Sequence, residues 1–182
     1  EYLIPKAKAV LPSGEYEVEI RDADFHGYID LLAPATVFER GVEVPNQYDI
    51  YDFKYSNNVN HYKDSRQLHL YKYFFERCNP GKKIRNLYFL FVPKVNIKKK
   101  KTEDLNQFRQ RIWENLQECE VQKVQIDFDY EKVLDFLFRI KAISETTEYP
   151  QNQGWFCRYC EFEEYCQKGW NYFMKLPSTE RR

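Results

Sequence analysis

Gly27-Tyr28-Ile29-Asp30, Tyr51-Asp52-Phe53-Lys54-Tyr55-Ser56 and Gln67-Leu68-His69-Leu70-Tyr71 are the three stretches on which the reading of this chain turns. Asp52 and Lys54 stand at i and i+2, and side chains two apart on a strand leave it on the same face. A carboxylate and an ammonium are thus held side by side at the end of an otherwise apolar strand. Asp30 ends the neighbouring strand candidate, so pairing the two strands would bring both carboxylates to one hard cation. Mg²⁺ and Mn²⁺ prefer such oxygen ligands and keep several waters. A cation held there can activate water and offset charge on a phosphate. Lys54 is placed to orient or deprotonate that water, or to stabilise developing charge. Gln67 and Tyr71, at i and i+4, share one face of the helix that follows.

An isolated Asp-x-Lys is more often a strand end with a surface ion pair, because short motifs match by chance. The order and spacing of the three pieces carry the reading, and the surroundings agree with it. Glu15–Arg21 alternates as a strand; Gly27–Leu32 and Gln47–Phe53 follow, separated by a loop around Gly41 and Pro45. A helix is expected from about Lys63 to Arg77, ending at the Asn79-Pro80-Gly81 turn. Leu87–Val92 is a nearly continuous apolar run, the mark of a strand buried on both faces. Helical spacing returns over Thr102–Cys119 and Tyr130–Glu145, with an alternating strand at Val121–Phe128 between them. A meander, a helical crossover and a buried strand predict an α/β fold, a mixed central sheet flanked by helices. The expected division is a core over residues 1–150 and a short cysteine-rich tail over 151–182.

The GYID, YDFKYS and QLHLY stretches, in this order, resemble the RecB-like members of the PD-(D/E)XK nuclease superfamily, over roughly Glu15 to Val92. The resemblance implies a restriction-endonuclease-like sheet and Mg²⁺- or Mn²⁺-dependent hydrolysis of DNA, by an exonuclease of repair, recombination or phage/CRISPR-type processing. It assigns the metal to Asp30, Asp52 and the Phe53 backbone carbonyl, the nucleophilic water to Lys54, and assistance at the site to Gln67 and Tyr71. DNA is the implied partner, with a helicase subunit or domain beside it in the helicase-nucleases. Many members supply a further ligand, a histidine or a carboxylate, from a helix before the first strand; nothing before Glu15 reads as that helix. His26 does not match the position, and Glu17 and Glu19 are acidic neighbours better explained as a solvated strand face. The chain begins at Glu1 and is read as a fragment.

Cys157-x-x-Cys160 and Cys166 can converge on one soft centre, with Trp155, Phe156, Tyr159, Phe162 and Tyr165 interleaved as a shield. Three thiolates do not complete a four-ligand site. A subset of RecB-like nucleases, the AddB-type and CRISPR-adaptation members, is similar here, and the resemblance implies a 4Fe-4S cluster in the complete protein, with its fourth cysteine far upstream, and an incomplete one in this chain. Cys78 and Cys119 read as ordinary packing or surface residues. An odd number of cysteines with one tight cluster suits a reducing compartment, hence a soluble cytoplasmic protein, and no apolar run reaches the length of a membrane span.

Formal charge is balanced at 28 basic and 28 acidic side chains, so no global field draws in a polyanion. Lys98–Lys101 is one local concentration, a phosphate-backbone contact or a solvated loop. Two other functions fit parts of the pattern: a non-catalytic DNA-end-binding module, and a zinc-stabilised interaction domain. The intact Asp30, Asp52 and Lys54 argue against the first.

Overall fold

The computed structural model describes residues 2–147 and 152–168. The chain divides into two compact units, Glu1–Ile140 and Lys141–Arg182. The first opens with helix α1 (Leu3–Val10), then β1 (Glu15–Arg21), β2 (His26–Pro34), the short strands β3 (Val37–Glu39) and β4 (Val42–Val44), and β5 (Gln47–Tyr55). Helices α2 (Val59–Lys63) and α3 (Gln67–Cys78) lead to β6 (Lys83–Val92), followed by α4 (Leu105–Glu118), β7 (Gln122–Ile126) and α5 (Tyr130–Glu145). The central sheet runs β1-β2-β5-β6-β7, antiparallel except for the parallel pair β5–β6 that α3 connects.

Both faces of this sheet are covered. On one, Ile50, Leu87, Phe89 and Phe91 pack with Leu68, Phe74 and Phe75 of α3 and Val133 of α5. On the other, Leu31, Ala33, Tyr51, Phe53 and Tyr88 pack with Leu11 at the end of α1. Burial on two sides explains why β6 reads as an unbroken apolar run.

Four local features depart from the sequence reading. A helix does precede the first strand, but α1 (LIPKAKAV) has no histidine or carboxylate. Its Lys6 Nζ instead donates to the Leu116, Gln117 and Cys119 carbonyls, closing the C-terminal end of α4, where the helix dipole favours a cation. The loop before β5 contains a hairpin, β3–β4, turned by Arg40 and Gly41, both at positive φ. The helix expected from Lys63 is two: α2 stops, the Ser65 hydroxyl accepts from the Gln67 N–H, and α3 begins there. Both motif strands also run on, β2 to Pro34 and β5 to Tyr55, so Asp30 and Asp52 lie inside strands and not at their ends.

The β5–β6 register shifts between Tyr48 and Asp49. Buried Asp49 holds that irregularity by accepting from Arg85 at 3.1 and 2.8 Å and from the Asn86 N–H and amide, each at 3.1 Å. The shift sets the alternation of everything after it, including the face on which Asp52 and Lys54 emerge. Asp49→Ala should cost about 2–4 kcal/mol in urea unfolding, because it strands buried donors. A change under about 0.5 kcal/mol, the usual size for an ordinary surface substitution, would show that Asp49 does not hold the register.

Candidate active site

The β2–β5 ladder ends at Leu31↔Tyr51, and just beyond it the Asp30 carboxylate takes over the role of the backbone. Asp30 Oδ2 accepts from the Phe53 N–H at 2.6 Å. This fixes Asp30 at the point where the strands part and leaves its second oxygen uncommitted by that bond.

Asp52 and Lys54 emerge on the α3 face, as their spacing requires. Asp52 is 1 % exposed, and Lys54 Nζ lies 2.5 Å from its Oδ2. The two form a buried ion pair, and no other donor reaches Oδ2. Burial is the main influence on this carboxyl; the Lys54 ammonium opposes it and the Asp30 charge adds to it, and the result is a pKa raised to about 6.

Gln67 and Tyr71 complete the arrangement from α3. Lys54 Nζ donates to Gln67 Oε1 at 2.8 Å, and Gln67 Nε2 donates to the Tyr71 hydroxyl at 2.8 Å. Because it opens α3, Gln67 can reach the strand while Tyr71 lies one turn further on. The Tyr71 pKa is raised, first by burial, with the Gln67 hydrogen bond opposing and the nearby Asp52 and Asp30 charges adding. Since its oxygen accepts from Gln67, the phenolic hydrogen remains available to donate. Gly27 makes room for the ring: a Cβ there would lie 3.1 Å from both Tyr71 and Phe25 carbons. The rings of Tyr62 and Phe89 flank the Lys54 ammonium at 5.3 and 5.6 Å.

The five side chains named from the sequence therefore gather at one place, through contacts or through mutual charge effects. The other candidates make no hydrogen bond or ion pair with these five among the described residues. His26 and Arg21 are both engaged by Glu19 Oε1, at 2.9 and 2.7 Å. Glu17 lines a cavity of about 370 Å³ with Tyr16, Asp30 and Phe53. Lys98–Lys101 is an exposed segment between β6 and α4.

The donor set suits a hard cation. It offers all-oxygen ligands, one of them a buried carboxylate oxygen met by the Lys54 ammonium alone, beside a second carboxylate. Among the described residues no three His, Cys, Asp or Glu side chains converge on a metal position. Mg²⁺ commonly takes only one or two carboxylates from a protein and completes its shell with water and phosphate.

In the second unit, a 3₁₀ turn (Trp155–Tyr159) precedes α6 (Glu163–Lys168), and residues 151 and 169–182 of the expected tail lie outside the described residues. Cys157, Cys160 and Cys166 line one cavity of about 210 Å³, and the Gly154 N–H donates to Cys157 Sγ at 3.2 Å. None of the five cysteines is disulfide-bonded. Four of the rings expected to shield the thiols do not: Trp155, Phe156, Tyr159 and Phe162 are all exposed.

A mixed five-stranded sheet between helices, with paired acids and a lysine along its middle strands, is the architecture of restriction-endonuclease-like proteins. A family model for the PD-(D/E)XK nuclease superfamily matches residues 6–167, and the chain belongs to that superfamily of nuclease hydrolases. No curated protein and no solved structure matches it. Among the described residues no helix is long and apolar enough to cross a membrane.

Folding raises the Asp52 pKa from its ordinary 3.8 to about 6, so the folded state holds this proton more tightly than the unfolded chain does. The stability contributed by the group is full below the unfolded value and is lost as pH rises through about 6. In metal-free protein Asp52→Asn should therefore stabilise on the order of 1–3 kcal/mol at pH 7.5, and the advantage should vanish towards pH 4. Urea titrations of both proteins across that range measure it, and a difference independent of pH would contradict the assignment.

Proposed function

We propose that this chain hydrolyses phosphodiester bonds of DNA with Mg²⁺ or Mn²⁺ held by Asp30, Asp52 and the Phe53 carbonyl, working as an exonuclease in DNA repair, recombination or phage/CRISPR-type processing. The observation that carries the reading is the Asp52–Lys54–Gln67–Tyr71 series of contacts, which holds an ammonium against a buried carboxylate. The cation would supply Lewis acidity towards the phosphate and a more acidic water.

The side chains contribute in distinct ways. Asp52, costly to ionise where it is, gains most from a cation beside it. Asp30, anchored through the Phe53 N–H, presents its charge at a fixed place on the parted strands. Lys54 has donors to spare beyond Gln67 and can offer one to the attacking water or to a phosphate oxygen. Gln67 orients that ammonium, and Tyr71 orients Gln67 while keeping its own hydrogen for substrate. Preorganised donors of this kind act where charge develops. Exonucleolytic action rests on the likeness of the three motifs to RecB-like nucleases, some of which act beside a helicase.

Lys54→Ala should lower Mg²⁺-dependent cleavage of linear DNA by about 10²–10⁴-fold while leaving DNA binding in Ca²⁺ largely intact, because the lysine serves the transition state. Equal cleavage rates for variant and parent at saturating Mg²⁺ would remove Lys54 from the chemistry.

For the tail, the reading is a 4Fe-4S cluster on Cys157, Cys160 and Cys166 with a fourth ligand from outside these three. It is supported by the shared cavity and by the Gly154 N–H directed at Cys157 Sγ. Reduced thiols of this kind suit the cytoplasm. Protein prepared without oxygen should contain iron with its visible absorption, and Cys160→Ser should lose it. Iron-free parent protein, or equal iron in the variant, would leave zinc or free thiols in its place.

A further inference from the structure

On the face of the central sheet that α1 covers lies a cavity of about 760 Å³, a size typical of small-molecule sites, roughly 300–1,000 Å³. Strand alternation opens it. Asp52 and Lys54 emerge on the α3 face, so Phe53 and Tyr55 turn to the α1 face, on the part of β5 beyond its last rung with β2. Tyr16 of β1 joins them in the wall, and from α1 the small Ala7 fills little of the space. Tyr16 and Tyr55 are 59 % and 62 % exposed, and Ile4 in the same wall is exposed as well. Contiguous apolar surface left open in this way marks a binding site.

Two observations say what would bind. The cavity shares Tyr16 and Phe53 with the smaller one that holds Asp30, so an occupant would extend directly towards the proposed cation site. Its charge is one-sided. Among the described residues no acid lines it, Lys8 is the one charged side chain in its wall, and the Lys94 ammonium lies 5.3 Å from the centre of the Tyr55 ring. Aromatic faces between ammoniums, next to acids that would hold a cation, match the parts of a nucleotide: a flat base for the rings, phosphates for the lysines and the metal. An acyl chain or an apolar peptide would use the wall and neither the lysines nor the acids beside it.

We infer that this cavity receives an unpaired nucleobase of the strand being cut, stacked on the Tyr16 ring, with Tyr55 as a second platform. The inference deepens the nuclease reading and rests on it, since it takes the phosphate attached to that base to lie at Asp30. Stacking uses the π-face that every base has, so the site accepts all four bases. A base held in a duplex enters it only by leaving its pair. Tyr16 is then a positioning residue: it fixes where the strand lies relative to the acids and takes no part in the chemistry.

The test is fluorescence anisotropy in CaCl₂ with two labelled strands of equal length. One is a single-stranded thymidine oligonucleotide; the other is its abasic counterpart, with the same phosphates and no bases. Phosphate attraction then cancels from the comparison at fixed salt. The parent should bind the abasic strand about tenfold more weakly, the size expected when base stacking is lost. Tyr16→Leu, which keeps apolar bulk and removes the ring, should lose most of that preference, and Tyr16→Phe should keep it. Equal binding of the two strands by the parent, or an undiminished preference in both Tyr16→Leu and the double variant Tyr16→Leu, Tyr55→Leu, would overturn the inference. Cleavage of the thymidine strand by the parent in MgCl₂ separates the two readings. Cutting without a base preference removes the nucleobase site alone, whereas a base preference without cutting leaves that site standing and removes the nuclease reading.

Discussion

Holding the Asp52 carboxylate inside an apolar sheet costs free energy, and much of the surrounding structure answers that cost. A buried carboxylate without compensation neutralises itself by taking a proton. Here Lys54 is delivered to the same face by the strand's period of two, and α3 begins at the residue whose amide fixes the ammonium. Tyr71 holds that amide from one turn further along, and Gly27 leaves room for its ring. The compensation is incomplete, as the raised pKa shows. An incompletely neutralised carboxylate is a poor device for stability and a suitable one for a cation.

Two constraints remote from this carboxylate decide where it points. The shift at Asp49, held by Arg85 and Asn86, sets the alternation of β5. The Asp30 to Phe53 hydrogen bond closes the β2–β5 pairing with a side chain in place of a backbone rung, so the strands part at the site. The site is thus an interruption of regular pairing, placed between α1 on one face of the sheet and α3 on the other.

The parts of this arrangement that follow simple periods were legible in the sequence. Asp52 and Lys54 share a face because strands alternate, Gln67 and Tyr71 because helices repeat, and β6 shows its double burial as an apolar run. What escaped depends on single residues whose neighbours decide the outcome. The β3–β4 hairpin turns on Arg40 at positive φ, a residue that gives no turn signal. The break between α2 and α3 rests on one Ser65 hydroxyl. Glu17 is exposed on β1, as a solvated strand face implies, but the alternation of β1 conceals its left-handed backbone. Helix α1 was missed because it spans only eight residues and carries Pro5, a residue that ordinarily signals the end of a helix. In the tail the cysteine spacing was legible, but the aromatic residues beside it proved to be exposed.

The central claim is that Asp30 and Asp52 share one divalent cation beside Lys54. Crystals of the protein soaked in MnCl₂, with data collected for manganese anomalous scattering, address it directly. The account predicts a peak at about 2.0–2.4 Å from a carboxylate oxygen of each aspartate and from the Phe53 carbonyl oxygen, at ordinary distances for Mg²⁺-like and Mn²⁺ sites. Manganese elsewhere in the crystal, with no peak between the two aspartates and Lys54 still against Asp52, would contradict it.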